Sequence, residues 1–192
     1  MRLFVAVELA PAVAERLDAF GSELQRRTAA LSPHARVTWI PVGRLHLTVR
    51  FIGEVDDAQA AAIGAALGPS LEVPGFELGF EGAGAFPSRG APRVLWAGIS
   101  QGLEALKVLE REVSTRLATC GIAREDRPYA PHLTLARVRE GARLRVAPLF
   151  EGLADSSFGT MPVDAITLFH SRLSPRGPTY VPVQRTSLHG RT

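Results

Sequence analysis

The segment Leu45-His46-Leu47-Thr48-Val49 recurs 86 positions later as Pro131-His132-Leu133-Thr134-Leu135. Each copy is a strand-forming run, and successive side chains along a β-strand point to opposite faces. In the first copy Leu45, Leu47, Val49 and Phe51 share one face, and His46, Thr48 and Arg50 share the other. In the second, Leu133 and Leu135 oppose His132 and Thr134. The chain must therefore build two strands, distant in sequence, that each bury one face and present imidazole and hydroxyl on the other. The five histidines of the chain would give roughly 0.3 His-x-Thr tripeptides by composition alone, so one copy would say little. Requiring the apolar flanks lowers this to roughly 0.06, so two copies point to function rather than to a solvated sheet face.

Two histidines and two threonines suit one kind of chemistry. Histidine is the side chain that serves as acid or base near neutral pH. Cleaving a phosphodiester requires a nucleophile to lose a proton while a leaving oxygen gains one, and a pair of imidazoles divides that labour. Threonine hydroxyls can donate to the non-bridging oxygens, where negative charge accumulates. No Asp, Glu or Cys cluster accompanies the histidines. Metal-assisted hydrolysis lacks its usual ligands, and neither metal nor cofactor is expected.

The rest of the chain frames these motifs. With 192 residues and 46% hydrophobic content, it can bury one sizeable core or two small lobes sharing one. No linker divides it, so residues 1–192 are expected to form one domain. No apolar run approaches the ~20 residues of a membrane span. The start, Met1 to Glu8, reads as a strand rather than a signal peptide, and a cytosolic protein is expected. The single cysteine, Cys120, excludes an internal disulfide and reads as a buried structural thiol. Lys107 is the one lysine, and the net charge of +3 rests on arginine. Arginine suits phosphate recognition, although enrichment in Ala, Gly and Pro makes compositional bias a sufficient cause.

Val13, Leu17, Phe20 and Leu24 recur at helical spacing and predict a helix over 11–30. Asp56-Asp57 caps a second, alanine-rich helix ending near Gly68. A third covers 102–120. Strands are predicted at 3–9, 37–40, 45–52, 76–80, 94–99, 132–138, 163–170 and 179–184. A Gly/Pro-rich loop is expected over 82–92 and a turn at Ser174-Pro175-Arg176-Gly177. Adjacent runs of strands favour an α+β class with antiparallel sheets.

Together these residues resemble the two-histidine (2H) phosphoesterase superfamily. The closer likeness is to the bacterial and archaeal RNA 2′,3′-cyclic phosphodiesterases, historically named 2′-5′ RNA ligases. It is carried by Met1 to Val7, Leu45 to Val55, Pro92 to Gly98, Arg127 to Arg137 and Leu168 to Leu173. The resemblance implies a bilobal α+β fold, with two antiparallel sheets facing across a central cleft, helices outside, and a pseudo-twofold axis. It implies hydrolysis of 2′,3′-cyclic phosphate ends of RNA to 2′-phosphates, with reversible, ATP-independent 2′-5′ ligation of tRNA halves in some members. Carried onto this chain, it makes His46 and His132 catalytic and Thr48 and Thr134 phosphate-binding. It suggests His132 as base and His46 as acid, an order the sequence leaves open.

The resemblance also places Phe51 and Arg137, five residues after each histidine, near base and phosphate. Strict alternation puts both on the core face, so a bulge after each motif, or the motif's end, would be needed to bring them into the cleft. The expected partner is RNA with a cyclic phosphate end, such as a tRNA half, or a small cyclic nucleotide. A monomer suffices, since one chain supplies both motifs. Two other readings share the motifs: an idle domain that binds RNA ends, and an enzyme for another small cyclic phosphate such as that of ADP-ribose. No role is expected for His34, His170 or His189, and packing is expected for Trp39 and Tyr129.

Overall fold

The computed structural model describes residues 1–141, 143–175 and 177–189. The first half runs β1 (Arg2–Glu8), α1 (Pro11–Leu31), β2 (Val37–Trp39), a 3-10 turn at Val42–Arg44, β3 (His46–Glu54), α2 (Asp57–Leu67) and β4 (Leu71–Pro74). It continues through β5 (Phe76–Phe86), β6 (Val94–Gln101), α3 (Leu103–Ala118), β7 (Leu133–Val138), α4 (Val146–Leu149), β8 (Ser157–Val163), β9 (Ala165–Arg172) and β10 (Thr179–His189). The α+β class expected from the order of elements is the class adopted. No helix among the described residues is long and apolar enough to cross a membrane.

The helices follow from their patterns. α1 starts at Pro11, where a missing N–H costs nothing, and buries Val13, Leu17, Phe20 and Leu24. α2 is capped by Asp56, whose carboxylate accepts from the Gln59 amide at 2.8 Å. α3 buries Leu106, Leu109, Val113 and Leu117. Cys120 lies just beyond it, half-buried against the core.

The strands form one hydrogen-bonded path in the order β4-β10-β9-β1-β3-β7-β6-β5-β8, with β2 added to β7. β4 runs parallel to β10, and every other pair is antiparallel. The path divides between the two motif strands. β3 and β7 meet at one register pair, Leu47 with Leu133, both fully buried. The two sheets implied by the resemblance are thus joined at the centre of the repeated motif. Along β1, Leu3, Val5 and Val7 enter the main core. Phe4 and Ala6 face the other way and pack with Phe169 in a small separate cluster.

Three features depart from the sequence-based expectation. β5 runs on through Gly82 to Phe86, where a loop was expected. Gly84 is not a breaker but a close-approach site: a Cβ on it would lie 2.6 Å from the Trp96 ring. β4 and β8 were not expected. β8 carries Gly159 and Pro162, residues depleted in strands, but it forms the end of the sheet path, where a missing N–H is tolerated. β10 extends to His189, whose carbonyl accepts from the Gly75 amide at 3.1 Å. Arg176 of the expected turn lies outside the described residues.

Candidate active site

The site begins with an irregularity shared by both motif strands. Between β1 and β3 the register passes from Ala6–Thr48 to Val5–Arg50, so Val49 is an extra residue. Between β6 and β7 it passes from Trp96–Thr134 to Leu95–Ala136, so Leu135 is extra. Each copy thus carries a bulge directly after its threonine, and a bulge inverts the faces beyond it. Phe51 pairs with Phe4, on the face opposite the main core, and is 44% exposed. Arg137 pairs with Val94 and is also exposed. Both reach the cleft, as they would not under strict alternation.

The same inversion corrects the placement of Arg50, expected beside His46 and Thr48. Arg50 pairs with Val5 on the core side and is 4% exposed. Its guanidinium meets Glu125 at 3.0 Å and donates to the Ala123 carbonyl, which ties β3 to the segment preceding the second motif. Tyr129 adds a second tie, donating to the Thr48 carbonyl at 2.8 Å. Burial pushes its phenol pKa far up, so it remains a donor at any ordinary pH.

The four motif side chains are brought together by register. Counting outward from the Leu47–Leu133 pair in an antiparallel ladder, His46 stands across from Thr134 and Thr48 across from His132. The two histidines occupy one diagonal of this square and the two threonines the other. Diagonal neighbours on one face of such a ladder sit about 7–8 Å apart, somewhat less at Cβ, a span that one phosphate between two imidazoles can fill. His46 Nδ1 donates to the Arg44 carbonyl at 2.8 Å, and His132 Nδ1 donates to the Ala130 carbonyl at 2.8 Å. A carbonyl only accepts, so each bond places the proton on Nδ1 and leaves Nε2 as the nitrogen available for proton transfer. The device is identical in both copies: the carbonyl belongs to the residue two positions upstream.

The surroundings of the two rings differ. His46 is packed by Phe4, with centroids 4.9 Å apart, and by the edge of Tyr180 at 5.0 Å. Burial lowers its pKa; the Arg44 carbonyl acts in the opposite sense, and the positive charge of Arg137 lowers it further. His132 touches one ring, that of Phe86, at 5.2 Å. Phe4, Tyr180 and Phe86 were missed in the sequence. Phe4 could have been found from the alternation of β1, but Tyr180 reaches His46 through the β10-β9-β1-β3 order, for which the sequence holds no local signal.

Two cavities flank the square. One of about 720 Å³ opens beside His132, and one of about 340 Å³ opens beside His46. Thr48, Phe51, Thr134 and Arg137 line both, so they form the shared wall. All six residues predicted for the site therefore line one or both of these two adjoining cavities. His34 and His170 border neither cavity. Among the described residues, no group of three His, Cys, Asp or Glu side chains is placed to hold a metal ion.

A doubled strand motif that sets paired imidazoles and hydroxyls in a cleft between two halves of a sheet is the arrangement of a two-histidine phosphoesterase. The chain belongs to the 2′-5′ RNA ligase superfamily, whose family model matches residues 14–174. It is 35% identical over 180 residues to an RNA 2′,3′-cyclic phosphodiesterase of Archaeoglobus fulgidus, covering 94% of this chain and 96% of that one. A Thermus thermophilus protein of the same name is 34% identical, with 99% and 91% covered. Among solved structures, a protein from Thermus thermophilus superposes with a TM-score of 0.79 at 29% identity, covering all of both chains. E. coli LigT complexed with 3′-AMP superposes with a TM-score of 0.70 at 26% identity and 97% coverage of each.

Proposed function

We propose that this chain hydrolyses 2′,3′-cyclic phosphate ends of RNA to 2′-phosphomonoesters, with His46 and His132 as its acid–base pair. The observation that carries the proposal is that the two motif strands meet at Leu47–Leu133, one residue from each histidine, and that each ring is held in the same tautomer by a backbone carbonyl, which leaves Nε2 available in both. Water attacks phosphorus as His132 Nε2 takes its proton. The P–O3′ bond breaks, and a proton held on His46 Nε2 goes to O3′. Phosphate remains on O2′. Thr48 and Thr134 hydroxyls donate to the non-bridging oxygens, which gain charge as the fifth bond forms. Arg137 adds a cation at the same wall, and Phe51 offers an exposed ring for the terminal base.

The acid assignment carries a physical condition. Burial holds His46 toward its neutral form in the open cleft, whereas an acid must be protonated. The negative charge of the bound cyclic phosphate acts in the opposite direction and restores the proton. With an RNA 5′-hydroxyl in place of water as the nucleophile, the same groups would join two RNA ends through a 2′-5′ bond without ATP, tRNA halves being one such pair. Both motifs come from one chain, so residues 1–192 act as one catalytic unit and a monomer in the cytoplasm meets every requirement.

The test is product analysis on an oligonucleotide ending in a 2′,3′-cyclic phosphate, with and without EDTA. A 2′-phosphate product, unchanged by EDTA, is expected. A 3′-phosphate would reverse the choice of leaving oxygen. Turnover that survives in the His46→Ala, His132→Ala double variant would overturn the mechanism.

A further inference from the structure

The larger cavity extends well past the phosphate square. Five arginines and two glutamates stand in its wall, a formal charge of +3. Arg50 and Glu125 neutralise each other within the wall, and Glu110 accepts from the Ser114 hydroxyl. Arg111, Arg124 and Arg127 remain as an exposed group in the cavity that His132 lines and His46 does not.

These three side chains stand on a fixed base. Arg111 projects from α3, and the other two from the irregular segment that leads into β7. That segment is held to β3 by the Arg50 and Tyr129 ties, while Arg124 also donates to the Thr115 hydroxyl at 3.2 Å. The smaller cavity is lined by three arginines, Arg2, Arg44 and Arg137, and no acid, but two of them are engaged. Its Arg44 donates to the Pro178 carbonyl at 2.9 Å, and its Arg2 lies over the Phe51 ring at 5.2 Å. It also has less than half the volume.

We infer that Arg111, Arg124 and Arg127 form a subsite for the phosphodiester backbone of the RNA strand preceding the reacting nucleotide. Guanidinium forks suit phosphate oxygens, and a run of cations binds a polyanion without reading its bases. The inference rests on the proposed activity for its substrate, and it adds that the enzyme selects strands over mononucleotides.

The test reads binding, so it does not depend on turnover. Dissociation constants are measured for a 2′-phosphate-ended oligoribonucleotide and for a nucleoside 2′-phosphate, over a range of salt. The wild-type protein should hold the oligonucleotide at least about 10-fold more tightly, with a steeper salt dependence. The Arg111→Ala, Arg124→Ala, Arg127→Ala triple variant should lose that advantage, and its log–log salt slope should fall by about 2. Its affinity for the mononucleotide should stay the same, which shows that the loop and the phosphate square are intact. The Arg2→Ala, Arg44→Ala variant should keep the length preference. Equal wild-type affinities, an unchanged triple variant, or loss of the preference on the Arg2 and Arg44 side would each overturn the subsite. Tight strand binding with no hydrolysis of a cyclic phosphate end would instead overturn the proposed activity.

Discussion

The two copies of the His-x-Thr strand share a backbone and differ in what surrounds it. In both, a bulge follows the threonine, Nδ1 bonds the carbonyl two residues upstream, and the fifth residue after histidine turns into the cleft. Beyond that they part. His46 is walled in by Phe4 and Tyr180, whereas among the aromatic rings of the described residues His132 touches only Phe86. The residue two after the threonine is Arg50 in one copy, clasping the approach to the other motif, and Ala136 in the other. The fifth residue is an aromatic ring in one and a cation in the other. The lesson is that the doubled backbone fixes where the groups stand, and the unshared neighbours decide which proton each ring holds.

The comparison breaks if either histidine proves dispensable. His46→Ala and His132→Ala should each lower kcat by roughly 10²–10⁴, the usual worth of one acid or base, with circular dichroism and Tm little changed. A full loss at one ring and none at the other would mean that the symmetry is only structural. Thr48→Val and Thr134→Val come next. Each removes one hydrogen bond to a charged oxygen and should cost about 10- to 100-fold in kcat/KM. Closely matched losses are expected, because the two threonines stand at equivalent corners.

The difference in burial is sharpened by pH. Tyr180→Ala admits water to His46, removes part of the burial that lowers its pKa, and so raises it. If His46 is the acid, its proton is lost on the alkaline side, and that limb of the kcat/KM profile should move to higher pH. Movement of the acidic limb instead would exchange the roles of the two histidines. In wild type the alkaline limb of kcat should lie above that of kcat/KM, since bound phosphate favours the imidazolium. The smallest effect compares helix starts. Asp56→Ala removes the side-chain cap of α2 and should cost about 1 kcal/mol by denaturant titration, with kcat unchanged. α3 begins at Gly102 with no side-chain cap to remove.

Much of this site was legible from spacing, and the boundary of legibility is physical. Period-2 alternation gave the faces of His46, Thr48, His132 and Thr134, because each motif precedes its bulge. The rule fails one residue later: an inserted residue leaves no compositional mark, so Arg50 was read onto the face of His46 and Thr48, which Phe51 shares instead. The requirement for a bulge could be stated in advance, but its position came only from the β1–β3 and β6–β7 registers. β5 was cut short because its glycines read as loop, whereas Gly84 makes room for the Trp96 ring. Tyr180 was invisible because nothing local tells a strand three places away in the sheet that its ring will seal His46.

A crystal structure with a nucleoside and vanadate, which adopts the five-coordinate geometry of phosphoryl transfer, tests the arrangement most directly. The account predicts one vanadium centre with Nε2 of His46 and Nε2 of His132 each within about 3.2 Å of an oxygen on opposite sides. A vanadate touched by one ring alone, with the other turned away from it, would contradict it.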